Sequence, residues 1–121
     1  MVDQPMKNTL DQSIDIRDLN WSPAEKAVAH KAFDTALQRE LEKVIRETKT
    51  RVARIRQPSE LWELERYLTE RRNEIDDEFD YRYSVLPLVF GRLLRHGLLR
   101  EEELCGLNED KMFRIRQIAN G

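Results

Sequence analysis

Cysteine is almost missing from this chain. Cys105 stands alone in 121 residues, so no internal disulfide can form, and no cluster of ligand-type residues surrounds it to hold a metal. A reducing compartment fits that usage. Histidine is scarce as well, with only His30 and His96. No apolar run approaches the ~18 residues a membrane span needs, and no N-terminal run reads as a signal peptide. The sequence therefore predicts a cytoplasmic protein without integral membrane association. Charge of one sign is lacking too. The formal net charge is −2, whereas a nucleic-acid binder carries a basic footprint. No Gly-rich phosphate loop, nucleophile elbow or H-E-x-x-H motif occurs. These absences argue against an enzyme, and no cofactor is expected.

Glycine and proline occur four times each, so few positions interrupt regular structure. What fills the chain is charge and aliphatic carbon: 36% charged and 40% hydrophobic residues. That balance predicts an all-α protein. Residues 1–20 lack helical periodicity and are expected to form a flexible N-terminal arm. Residues 21–121 form a single helical domain. Ser22, Pro23 and Glu25 make a capping box with proline at the first helical position. Apolar residues then recur at steps of three and four from Val28 to Ile55, and no breaker appears before Pro58. One helix from about 23 to about 56, roughly 50 Å long, is predicted. Such a length calls for cover, either from a coiled-coil-like second copy or from a hairpin of the same chain.

Ser59 is the expected cap of a second, densely charged helix reaching about Asp80. Its residues Leu61, Leu64, Leu68, Ile75 and Phe79 share one side. A third, more apolar helix spans about 82–96. Pro87 either lies in its first turn or kinks a longer rod, and spacing alone leaves both open. Gly97 is a natural stop. A short helical turn follows, and then a last helix capped by Asn108, with Leu107 and Met112 placed as a hydrophobic staple. The expected architecture is an elongated molecule: one long N-terminal helix, a second charged helix and a small C-terminal helical head.

Local chemistry is thin. His30 sits within the long helix, and His96 lies at a helix C-terminus, where a cation is favourable. Glu74, Asp76, Asp77, Glu78 and Asp80 are flanked by Arg71, Arg72 and Arg82, which reads as a solvated, salt-bridged face rather than a metal site. A helix-turn-helix reading of 85–119 meets two acidic residues in the first turn of its last helix and no cluster of base-reading side chains. Trp62 is the residue that stands out. On a helical projection it falls about 130° from the apolar stripe, on the side of Arg66, Thr69 and Asn73. It covers a second buried face, stands exposed as a lone aromatic, or anchors a protein interface.

One longer pattern goes beyond these local signals. Trp62, Leu64, Leu68, Arg72, Glu74-Ile75-Asp76, Asp80, Arg82 and Ser84, with Tyr67 and Phe79, form its centre. It continues through Val89-Phe90, Leu93-Leu94, Gly97-Leu98, Glu103-Leu104, Leu107 and Asp110-Lys111. Upstream lie Trp21-Ser22, Glu25, Phe33 and Arg39-Glu40-Leu41. Over about residues 21–119 this pattern resembles the fluorescence recovery protein family of cyanobacteria. The resemblance implies an all-helical homodimer, joined through its long helices, that is not an enzyme. Its implied partner is the orange carotenoid protein, a light-activated quencher of the phycobilisome antenna. The family favours that protein's C-terminal domain and speeds its return from the red active to the orange resting form. It also helps release it from the phycobilisome. A cytoplasmic location follows, with thylakoid association through the phycobilisome. Trp62, Arg72, Leu88, Arg114 and Ile118 match positions of the family's partner-binding surface. Ile45, with Leu41 one turn before it, matches the dimer seam. Beside Trp62, however, Glu65 and Arg66 replace a histidine and an aspartate, which reverses the local charge. A relative that keeps the fold but binds another protein client is the alternative reading.

Overall fold

The computed structural model describes residues 21–121; the arm expected over 1–20 lies outside the described residues. The first helix, α1 (Pro23–Arg54), starts where the capping chemistry puts it. The Ser22 hydroxyl accepts from the Glu25 amide at 3.1 Å, and the Glu25 carboxylate accepts from the Ser22 amide at 3.0 Å. The helix runs 32 residues and ends two short of the predicted limit.

The second helix, α2 (Pro58–Glu78), corrects the expected cap. Gln57, not Ser59, is the N-cap, and Ser59 lies inside the first turn. Proline decides this. Its fixed φ and missing N–H suit the first helical position, and it drives the residue before it into the extended conformation a cap requires. Gln57 has φ −132° and ψ 152°. Glu60 then accepts from the amides of Arg56 at 2.6 Å and Gln57 at 2.8 Å.

A second correction concerns residues 79–85. Two helices were expected to meet there, yet the chain leaves helix at Phe79 and re-enters only at α3 (Leu86–Arg95). Alternate aromatics cause the break. Phe79, Tyr81 and Tyr83 turn towards the core, with ring centroids 5.5 Å from Phe33 to Phe79, 4.9 Å from Phe33 to Tyr81 and 5.3 Å from Trp21 to Tyr83. A helix would scatter residues two apart around its axis, whereas extended chain keeps them on one side. Asp80 and Arg82, the intervening residues, pair with each other at 2.9 Å. Pro87 falls in the first turn of α3, so no kink is needed.

Gly97, at φ 76°, closes α3. The Leu98 amide reaches back to the Leu93 carbonyl (2.9 Å) and the Gly97 amide to that of Leu94 (3.1 Å), the paired bonds of a Schellman stop. A 3₁₀ turn (Glu101–Leu104) leads to α4 (Glu109–Asn120), capped by Asn108, whose side chain accepts from the Lys111 amide at 2.9 Å.

The core lies at one end. Phe90, Leu86, Leu93, Leu104 and Ile115 are fully buried. They pack on Ala29, Ala32, Phe33 and Ala36 of α1, where the three small alanine side chains let α3 and the following turn approach. Leu107 and Met112 both belong to this core, as the staple requires. The rest of the hairpin is different. Among the described residues none from 41 to 74 is buried. The molecule is thus a helical head on a two-helix stem, all-α, with no strand among the described residues.

Candidate partner-binding surface

The head is tied to α1 by ion pairs between distant residues. Glu25 is buried and serves two helix starts at once. Besides its bond to Ser22, it accepts from the Asn108 amide at 2.9 Å and from Lys111 Nζ at 3.2 Å. Burial pushes its pKa up, but the amides of Ser22 and Asn108 together with Lys111 outweigh this and hold it below the ordinary carboxylate value. The Lys111 ammonium also lies 4.9 Å from the centre of the Trp21 ring. Both helix N-termini favour the negative charge.

Arg39 grips Glu103 with two parallel bonds, 2.8 and 2.7 Å, and donates to the Leu98 carbonyl at 2.9 Å. This fork holds the 3₁₀ turn on α1. The Arg39 side chain lowers the Glu103 pKa to about 2, against the opposing effect of burial. A depressed carboxylate contributes stability at neutral pH and loses it as pH falls through the unfolded and then the folded pKa. Acidification from about pH 5 to about pH 2 should therefore cost about 1–2 kcal/mol through this group, after allowance for solvent screening. Urea midpoints measured along that range should fall less steeply for Glu103→Gln than for the parent chain.

In the stem, Arg71 of α2 bonds to buried Glu40 of α1 and to Glu74. Further out, the Arg51 guanidinium stacks 3.9 Å from the Tyr67 ring centre. Of the five carboxylates read as a solvated face, three are paired: Glu74 with Arg71, Glu78 with His96 at 2.8 Å, and Asp80 with Arg82. No group of three or more His, Cys, Asp or Glu among the described residues is placed to hold a metal ion. His30 lies on the surface beside Asp34 at 3.3 Å.

The sequence-derived positions separate into two sets. Trp62, 64% exposed, and exposed Arg72 lie along α2 on the stem. Leu88 on α3 and Arg114 and Ile118 on α4 belong to the head. Leu88 and Arg114 are exposed, but Ile118 is half-buried and packs against Gly91. Leu41 and Ile45 are exposed on α1, at 40% and 51%. Of the expected α2 stripe, Ile75 is buried, while Leu61 and Leu68 are open. A groove of 240 Å³ opens in the head between Trp21, Tyr83, Pro87 and Arg114.

Residues 21–119, every element from the α1 cap to α4, match the family model described as the photoprotection regulator fluorescence recovery protein. This chain belongs to the fluorescence recovery protein family. The fluorescence recovery protein of Synechocystis sp. (strain ATCC 27184 / PCC 6803 / Kazusa) is 40% identical over 99 residues, 82% of this chain and 91% of that protein. Its solved structure superposes with a TM-score of 0.78 over 84% of this chain and 99% of the other. That of Fremyella diplosiphon, 37% identical, gives the same TM-score and coverage.

The fluorescence recovery protein fold explains motif residues that spacing could not. Arg39, Glu40, Glu103 and Lys111 carried the likeness without an evident role, and Glu25 only as part of a cap. The fold turns them into the pairs Glu25–Lys111, Arg39–Glu103 and Glu40–Arg71. No helix is long and apolar enough to cross a membrane among the described residues.

Proposed function

We propose that this protein is a non-enzymatic regulator that binds the photoactivated orange carotenoid protein through the latter's C-terminal domain. It speeds return to the resting form and helps release that protein from the phycobilisome. The supporting observation is Trp62: a tryptophan 64% exposed on the stem of a fluorescence recovery protein. Tryptophan and arginine dominate binding energy at protein interfaces, and Arg72 lies further along the same helix. Leu88, Arg114 and Ile118 extend the surface onto the head.

Acceleration requires that the regulator favour the opened form or its transition state over the compact resting form. A scaffold that holds two separated domains together raises their effective concentration and hastens closure. The test follows dark recovery of photoconverted orange carotenoid protein by absorbance. Faster recovery is expected, and an unchanged rate at several-fold excess of this protein overturns the reading. A second reading, a different protein client, draws support from Arg66, which is exposed beside Trp62. A basic group where the family pattern has an acidic one reverses the charge offered at this point, the kind of change that switches partner choice.

The working form is a homodimer. Leu41, Ile45 and Val52 on α1, with Leu61 and Leu68 on α2, are each 39–52% exposed. An apolar stripe of this length is what a helical seam buries. Ile45→Glu, which would put an unpaired charge in that seam, should weaken association at least about tenfold. Size exclusion with light scattering should show a species of half the mass.

A further inference from the structure

Among the described residues, eight large apolar side chains stand exposed. Five form the stripe along the stem, and Trp62 and Leu88 lie at partner positions proposed above. The eighth is Phe113 on α4, 61% exposed, and neither surface accounts for it.

Its place on the helix gives it no part in packing the head. α4 buries Lys111, Met112 and Ile115. At about 100° per residue, Phe113 projects about 160° away from Ile115, so the core lies on the opposite side. Every other exposed residue of α4 is charged or an amide: Glu109, Asp110, Arg114, Gln117 and Asn120. Glutamine or arginine at 113 would also suit an exposed helix better than phenylalanine does. The ring does lie next to a candidate contact. Phe113 lines one surface depression with Arg114 and Gln117, and Glu109 and Asp110 complete its rim. Arg114 forms no ion pair among the described residues, while Arg116 on the same helix pairs with Glu101 and Glu109. An aromatic ring bordered by charged and amide groups is the layout of an interface core with its polar rim.

We propose that Phe113 is a further contact residue for the protein partner. It is an apolar anchor that takes an apolar side chain of the partner, while Arg114 beside it meets a neighbouring carboxylate. The partner surface on the head then continues from Arg114 onto the outer face of α4. This inference rests on the reading of Arg114 as a partner contact, and it adds a residue that the family pattern does not single out.

Dark recovery of photoconverted orange carotenoid protein, titrated with the parent chain and with variants at 113, tests this. Phe113→Gln should raise the concentration that half-saturates recovery by about tenfold, the size of one apolar interface contact. Its urea midpoint should stay at the parent value or above it, because the ring packs on nothing in the head. Phe113→Leu, which keeps an apolar side chain, should retain most of the parent's affinity. An unmoved half-saturation in Phe113→Gln, with the parent chain active, overturns this inference and leaves the partner reading intact. A parent chain that leaves recovery unchanged at several-fold excess overturns that reading, and the inference with it. A smaller mass for Phe113→Gln by light scattering assigns the ring to a second copy of this chain, and equally overturns the inference.

Discussion

Gly91→Val is expected to lower the stability of the head by about 3 kcal/mol, the upper end for overpacking a close contact. A Cβ at Gly91 would lie 2.5 Å from Ile118 Cγ2, 2.6 Å from Ile118 Cβ and 3.0 Å from the Ile115 carbonyl oxygen. Glycine within a helix costs about 1 kcal/mol relative to alanine, and here it lets α3 and α4 meet. Arg95 adds a bond to the Ile118 carbonyl, so α4 cannot move away without further loss. Gly91→Ala should destabilise less, because improved helix propensity offsets part of the clash. Adding Ile118→Ala should relieve it further, giving a double variant more stable than the two single losses predict. Urea unfolding of the parent, Gly91→Val, Gly91→Ala, Ile118→Ala and the double variant measures this. Wild-type stability in Gly91→Val would mean that the contact is loose. The same contact gives Ile118, which the family resemblance puts at a partner-binding position, a part in packing the head.

Trp62→Ala should have the opposite profile. The side chain is 64% exposed, so its removal should change stability by no more than about 0.5 kcal/mol. If it anchors the partner, binding should weaken by about 30-fold to several hundredfold, the range of an interface hot spot. The comparison is between the urea midpoint and the concentration that half-saturates recovery of the orange carotenoid protein. A large shift in the second with the first unmoved assigns Trp62 to binding. An unmoved second quantity removes it from the interface.

Much of the fold was legible because its signals are local. The Ser22-Pro23-Glu25 box, the Asn108 cap and the Gly97 stop each act within a few residues, and all are where the sequence put them. The Ser59 cap failed because proline geometry outranked a favourable cap side chain one position later. The 79–85 break was written in the alternation Phe79, Tyr81, Tyr83, a period of two that the surrounding helical pattern masked. The candidate surface was only partly legible. Projection placed Trp62 off the apolar stripe of α2, and its exposure agrees with that. Projection also implied that the stripe itself is covered, whereas Leu61 and Leu68 are open in the single chain.

By itself, then, the sequence determined the helical class, the start and end of most helices and the family pattern, since propensity, periodicity and capping operate over one or two turns. Tertiary structure alone decided which charges pair and which half of the hairpin has a core. Glu25 meets Lys111 across 86 positions, and Arg39 meets Glu103 across 64. Such contacts depend on how the chain turns at Ile55–Gln57 and at 79–85. Those two turns bring the head back onto the first turns of α1 and leave the far stem, with Trp62 upon it, uncovered.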